Sequence, residues 1–310
     1  MTTTERNTFM RTDIEFNAHG TTLRGWFYVP EGNGPFPAIV MAHGFAALKE
    51  MGLAPYAERF VEAGFAVLAF DHRNFGASDG TPRFEIDPWQ QMTDYRHAVT
   101  YLQQRNDVDS DRIGAWGTSY SGGHVIILGA IDKRVKAISS QVPVVSGYSA
   151  IQRLVRQDLF PDQRTAWEAD RAARFAGAEP ATVPVIDPDP MANVAFPTAD
   201  SFEWFSSAAK DAPLWENTVT VASLEKLTEY EPRAYIGRIS PTPFLLMVGH
   251  DDTVASSDLP LSAYEQALEP KQLAILPGGH YAPYGGVAFE PAVTTARDFF
   301  LEHLGQETTR

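Results

Sequence analysis

Short, unbroken apolar runs recur along this chain, and segments with a helical hydrophobic period separate them. The runs occupy 38–42, 65–70, 113–116, 135–138, 244–248 and 273–276. Lys136 apart, none is interleaved with polar residues, so both faces of each strand should be buried. Between them, Tyr56, Phe60, Val61 and Ala63 share one helical face, and Met92, Tyr95, Ala98, Tyr101 and Leu102 share another. Doubly buried strands alternating with helices predict an α/β fold: a mostly parallel central sheet covered by helices on both faces. Residues 13–30 alternate loosely about Asn17-Ala18-His19-Gly20, which reads as an antiparallel hairpin.

The alternation stops near 145. From there to 240 the chain is polar, punctuated by proline and helical in places. Gly177 is suited to end a charged, Ala-rich helix that begins near Asp162. The stretch holding Pro180, Pro184, Pro188, Pro190 and Pro197 reads as irregular. The strand pattern resumes at Phe244, followed by a helix near 259–268 and a closing helix carrying Val293, Ala296, Phe300 and Leu304. We therefore expect a core of residues 1–144 and 241–310, interrupted by an inserted helical cap or lid at 145–240.

Composition removes several classes of function. With 25 Lys+Arg against 39 Asp+Glu, the formal charge of −14 repels nucleic-acid phosphates, and no basic run opposes it. The chain has no cysteine, which excludes disulfides, Cys-ligated metals and a thiol nucleophile. Covalent catalysis would need an oxygen or nitrogen nucleophile. No apolar run approaches the ~18–20 residues of a membrane span. The opening MTTTERNTF lacks the basic-then-apolar pattern of a signal segment. A cytoplasmic protein with no membrane or nucleic-acid partner is expected, and homodimerisation stays open.

The most informative motif is Gly117-Thr118-Ser119-Tyr120-Ser121-Gly122-Gly123. It follows the run 113–116 and precedes the helical Val125-Ile126-Ile127-Leu128. A strand–turn–helix with a serine at its apex is the context of a nucleophile elbow, in which flanking residues must be small for strand and helix to approach. Ser121 stands where such motifs usually have a second glycine. A Gly/Ser-rich helix start without chemistry would use similar residues, and Ser121 is a rival hydroxyl. The glycine two residues before Ser119 favours Ser119.

A serine hydroxyl needs a base. Among eight histidines, His280 lies in Pro277-Gly278-Gly279-His280, just past the last strand, where open parallel sheets build their sites. His97 and His124 lie in helical runs and read as packing. The acid that orients the base is sought in Gly249-His250-Asp251-Asp252. Either aspartate could serve, and the spacing from Gly249 favours Asp252. The chain order Ser119, Asp252, His280 matches one particular fold. Two backbone donors should hold an oxyanion: the Tyr120 amide, and an amide of the loop His43-Gly44-Phe45-Ala46, namely that of Phe45.

These residues resemble the α/β-hydrolase superfamily over nearly the whole chain. Within it, the chain is similar to the bacterial dienelactone-hydrolase-like group, with YcjY-type hydrolases, acetyl-xylan-esterase-like enzymes and polyketide hydrolases. The matching stretches are His43-Gly44-Phe45, Asp71-His72-Arg73-Asn74-Phe75-Gly76-Ala77-Ser78, the elbow with Arg112 to His124, and Pro277-Gly278-Gly279-His280. The resemblance implies an α/β-hydrolase fold, with Ser119 as nucleophile, His280 as base, Asp252 as acid, and a cap between the sixth and seventh strands.

The expected function is a serine hydrolase acting on a small-molecule carboxylic ester, thioester or lactone. A carbon–carbon hydrolase or a peptidase/amidase would use the same three groups. A non-catalytic binding module on this scaffold would be expected to lack one of them, and all three positions are filled. Trp204 and Phe205, with His250, are candidate substrate-pocket residues. No cofactor and no metal is expected. A histidine base predicts that activity falls in acid as the imidazole protonates. A pH–rate profile checks this, and a flat profile from pH 5 to 8 would count against His280.

Overall fold

The computed structural model describes residues 9–305. The opening segment read above for a leader lies, apart from Phe9, outside the described residues. The hairpin consists of β1 (Phe9–Ala18) and β2 (Thr21–Pro30). His19 and Gly20 between them have φ of 52° and 88°, as a two-residue turn that follows the strand twist requires. Then come β3 (Phe36–Ala42), α1 (Ala54–Glu62), β4 (Ala66–Phe70), α2 (Pro88–Gln103), β5 (Val108–Thr118), α3 (Tyr120–Ile131) and β6 (Val135–Gln141). The next stretch carries α4 (Gly147–Leu154), α5 (Phe160–Phe175), β7 (Thr182–Val183), α6 (Ala199–Ala208), β8 (Val219–Thr220) and α7 (Val221–Thr228). The chain ends with β9 (Phe244–Gly249), α8 (Asp258–Gln266), β10 (Lys271–Leu276) and α9 (Phe289–Leu304).

One sheet runs β1-β2-β4-β3-β5-β6-β9-β10. Every pairing from β4 to β10 is parallel, and the hairpin joins the edge antiparallel to β4. The expected α/β class is therefore observed. Side chains alternate across the sheet with the strand period of two. Ile39, Met41, Val67 and Trp116 pack toward α1 and α9, while Ala38, Val40, Leu68 and Ala115 belong to the core shared with α2 and α3. The central runs thus serve two cores at once, which is why those strands read as continuous; the edge strand β10 departs from the expectation, with Leu273 and Ile275 exposed on its outer face. β5 begins earlier than its apolar run, at Val108, because residues 109–112 are a polar lead-in that pattern alone does not mark. No helix among the described residues is long and apolar enough to cross a membrane.

The segment between β6 and β9 is fastened to the loop before α2. Buried Glu85 accepts from Lys226 Nζ at 2.7 Å and from Arg174 at 2.8 Å, and Lys226 also reaches Asp87 at 3.0 Å. Neutral bonds reinforce this: the Ile86 amide donates to Ser223 Oγ at 2.8 Å, and the Thr220 amide to the Phe84 carbonyl at 3.1 Å. Within the Pro-rich stretch expected to be irregular, β7 pairs antiparallel with β8, two residues on each side.

α4 docks on α7 through a bare backbone surface. The Gly147 amide donates to the Tyr230 carbonyl at 2.7 Å, and a β-carbon at 147 would overlap the Leu227 carbonyl oxygen. Backbone cannot yield as a flexible side chain can. Gly147→Ala is expected to destabilise the protein by about 1–3 kcal/mol, read as a lower urea midpoint. An unchanged midpoint would show that α4 is not tightly seated.

Candidate active site

The chain passes from β3 to β4 on one side and returns to β5 on the other. Ligand sites of open α/β sheets lie at such a reversal, beyond the C-terminal strand ends. Here Ala42 pairs with Gly117, so the loops leaving β3 and β5 emerge side by side. Gly44 touches Ser119: a β-carbon on Gly44 would lie 3.0 Å from Ser119 Cβ and 3.4 Å from Oγ.

Ser119 sits between β5 and α3 with φ 56° and ψ −116°. A non-glycine residue adopts such a conformation only when its surroundings over-determine it. Two bonds do so: the Ser119 amide donates to the Gln141 carbonyl at 2.8 Å, and its own carbonyl accepts the Val144 amide at 3.0 Å. Gly117 is required by proximity, because a β-carbon there would overlap the Ser121 carbonyl. The turn holds the Ser119 side chain at the helix start, where the first amides of α3 have no partner within the helix.

The loops after β9 and β10 bring the remaining groups. The His250 amide donates to the Leu276 carbonyl at 2.8 Å, and the Asp251 amide to the Gly278 carbonyl at 3.1 Å. This lacing sets Asp252 against His280. His280 Nε2 lies 2.9 Å from Ser119 Oγ, and His280 Nδ1 lies 2.7 Å from Asp252 Oδ2. The second Asp252 oxygen accepts the Val254 and Ala255 amides at 2.9 and 2.8 Å. These bonds suit an ionised carboxylate, which receives Nδ1–H and leaves Nε2 to accept from the serine. All three residues are buried, with 7% of Ser119, 5% of Asp252 and 2% of His280 exposed. Asp251 instead lies exposed and pairs with His250 at 2.7 Å. Of the two aspartates left open by the sequence, only Asp252 contacts His280.

Ser121 points away from this chain of bonds. It is fully buried; its hydroxyl donates to the His43 carbonyl at 2.5 Å and accepts from His72 Nε2 at 2.9 Å. The His72 amide in turn donates to His43 Nε2 at 3.2 Å. His124, packed against the same elbow, accepts the Tyr230 hydroxyl at Nδ1 (2.7 Å) and donates from Nε2 to Gln91 Oε1 (2.9 Å). Each of these imidazoles is neutral with one donor and one acceptor nitrogen. Burial is the main cause: it pushes His43 down, His72 well down, and His124 down to about 3. Asp71 anchors the next turn, accepting the Lys49 amide at 2.9 Å and Lys49 Nζ at 2.7 Å. Arg73 forks onto Asp94.

Aromatic rings from the inserted segment close over the loops. Phe45 meets Tyr120 edge-on at 5.4 Å and Phe196 at 5.6 Å. Phe196 stacks on Phe205, and Phe205 on Trp215. The Trp215 indole N–H donates to the Ala46 carbonyl at 2.9 Å. Of the expected pocket residues, Trp204 lines a cleft of about 490 Å³ with Tyr281, Tyr284, Glu50 and Asp211. Phe205 is buried within the aromatic stack rather than lining that cleft. His250 corrects the expectation: it faces solvent on the Asp251 side, and its pairing with that carboxylate keeps it from the serine. Phe196, Tyr281 and Gln141 were not singled out as site residues. For Tyr281 a signal existed, since it directly follows His280; the others arrive through long-range packing. Among the described residues, no group of three or more His, Cys, Asp or Glu is placed to hold a metal ion.

Comparison with known proteins agrees with this fold. The family model described as X-Pro dipeptidyl-peptidase (S15 family) matches residues 19–282. The chain is 35% identical to a thiohydrolase, aneE, of Aspergillus aculeatus, over 90% of this chain and 89% of that one. It is 32% identical to the quorum-quenching protein AidA of Acinetobacter baumannii, over 93% of each. Among solved structures, the α/β hydrolase GrgF from Penicillium sp. sh18 superimposes with a TM-score of 0.83 at 30% identity, covering 96% of this chain and 100% of that one.

The buried imidazoles make acid a denaturant. Folded, they stay neutral; unfolded, each takes a proton below about 6.5. The unfolded state then binds more protons, so stability is complete above that pH and declines as pH falls, toward about 3 for His124. The expected slope from His124 is about 1 kcal/mol per pH unit. Urea midpoints between pH 7 and 4 measure it. His124→Asn, which cannot titrate, should flatten the slope; an unchanged slope would remove His124 from the account.

Proposed function

Because the chain belongs to the X-Pro dipeptidyl-peptidase (S15) family of α/β-hydrolases, we propose that it is a serine hydrolase cleaving a carboxylic ester, thioester or lactone through an acyl-enzyme on Ser119. The observation that carries the reading is the buried run of short contacts from Ser119 Oγ through His280 to Asp252, 2.9 and 2.7 Å long. The similarity to a thiohydrolase supports a thioester within that class.

In this mechanism Ser119 Oγ attacks the acyl carbonyl while His280 Nε2 takes its proton. Asp252 holds Nδ1–H and stabilises the imidazolium that forms. The negative charge on the carbonyl oxygen is received by the Tyr120 and Phe45 amides. Fixed donors of this kind act most strongly where water is excluded. His280 then returns the proton to the departing alkoxide or thiolate. Water, deprotonated by the same histidine, releases the acid and restores Ser119. The aromatic insertion acts as the cap that keeps this chemistry dry. The substrate is a small molecule, and the reaction calls for no metal or cofactor.

The family description favours a second reading, cleavage of a peptide or amide bond by the same three residues. Rates on p-nitrophenyl esters, acyl thioesters and X-Pro anilides, measured on one preparation, distinguish the two.

Ser119→Ala is expected to lower turnover of p-nitrophenyl acetate by about 10⁴-fold or more, with the urea midpoint little changed. A fluorophosphonate should label Ser119 and not Ser121. Retained turnover in Ser119→Ala would remove the reading.

A further inference from the structure

The loop leaving β3 is pinned on both sides of Phe45. On the core side, Ser121 Oγ donates to the His43 carbonyl at 2.5 Å. On the other side, the Trp215 indole N–H donates to the Ala46 carbonyl at 2.9 Å. The first pin is internal to the core, at the start of α3. The second comes from the insertion, 169 residues along the chain.

Ala46 has φ 56°, a region that a β-carbon disfavours. Such a residue keeps its conformation through outside partners, and Trp215 supplies one directly. The contact is part of a closed circuit. The Trp215 ring stacks on Phe205 at 5.8 Å, Phe205 on Phe196 at 5.7 Å, and Phe196 meets Phe45 at 5.6 Å. The indole then returns to the residue after Phe45. The insertion therefore grips the loop at one ring and at one carbonyl, with the Phe45 peptide between pins.

We propose that Trp215 is a positioning residue for oxyanion stabilisation. Its N–H holds the Ala46 carbonyl, and through it the Phe45 amide, in register with Ser119, so the second donor is complete only while the cap is seated. This rests on Ser119 being the nucleophile. A donor aimed at charge that develops in the transition state affects kcat rather than substrate binding. Cap seating and oxyanion binding are then linked, each strengthening the other.

Trp215→Phe keeps a ring against Phe205 and deletes the N–H. We expect kcat on a p-nitrophenyl ester to fall about tenfold, part of the ~10²–10³ lost when a donor is removed outright. KM should stay within about twofold. Affinity for phenylboronic acid, which forms a tetrahedral adduct on the serine, should fall by the same factor as kcat. An unchanged kcat, a rise confined to KM, or undiminished boronate affinity would overturn the proposal. The wild-type enzyme gives an independent test that needs no variant. Boronate occupancy should slow hydrogen exchange of the Trp215 indole N–H, and equal exchange rates in free and bound enzyme would also overturn the proposal. The two readings fail separately. Turnover by Ser119→Ala removes the nucleophile, whereas an inactive Ser119→Ala beside a fully active Trp215→Phe removes only the positioning role.

Discussion

The close approach of α3 to β5 governs the rest of the site. The reversal at Ser119 leaves no space for a side chain at 117, and it places residue 119 in a backbone region that few side chains tolerate. The strain is offset by ordinary forces: bonds to Gln141 and Val144 on the neighbouring strand exit, and an α3 whose first ten residues are buried. Because α3 is buried nearly all round, it cannot drift toward solvent without exposing core. The proposed nucleophile is therefore held by the hydrophobic core rather than by its own loop.

Beneath the elbow lies a layer of polar groups with few alternatives. His43, His72, Ser121 and His124 are all buried, and their partners fix which nitrogen donates. One group is left out: His72 Nδ1 has no hydrogen-bond partner among the described residues. In low dielectric an unmade bond is costly, while a made one is stiff. The layer binds the elbow to the loop after β3 at the His43 carbonyl and leaves the far side of Phe45 to Trp215.

The sheet was legible because its central apolar runs face two cores, which leaves an unbroken hydrophobic signature at 38–42, 66–70 and 244–248. His280 and Asp252 were legible through glycine spacing, since their loops must cross closely before any side chain can meet. Other features were not. Glycine spacing does not say which way the neighbours of Asp252 turn. His250 turned outward with Asp251. The partners of Phe45 lie in a segment whose composition resembles the rest of the chain. Trp215 and Phe196 reach it only through tertiary packing, which carries no periodic trace. Ser121, an apparent departure from the motif, acquires a purpose only when the His43 carbonyl is seen opposite it.

Two of the joints that attach the insertion are unlike in kind. Near α2 it is held by Lys226 and Arg174 on the buried Glu85 carboxylate. Over the serine it is held by stacked rings and one indole bond. Added salt weakens partly exposed ion pairs and leaves ring packing intact. Cooling weakens apolar burial and spares the charges. Solvent conditions can thus loosen one end while the other stays fixed, making the charged joint a hinge in the cold and the aromatic joint a hinge in brine.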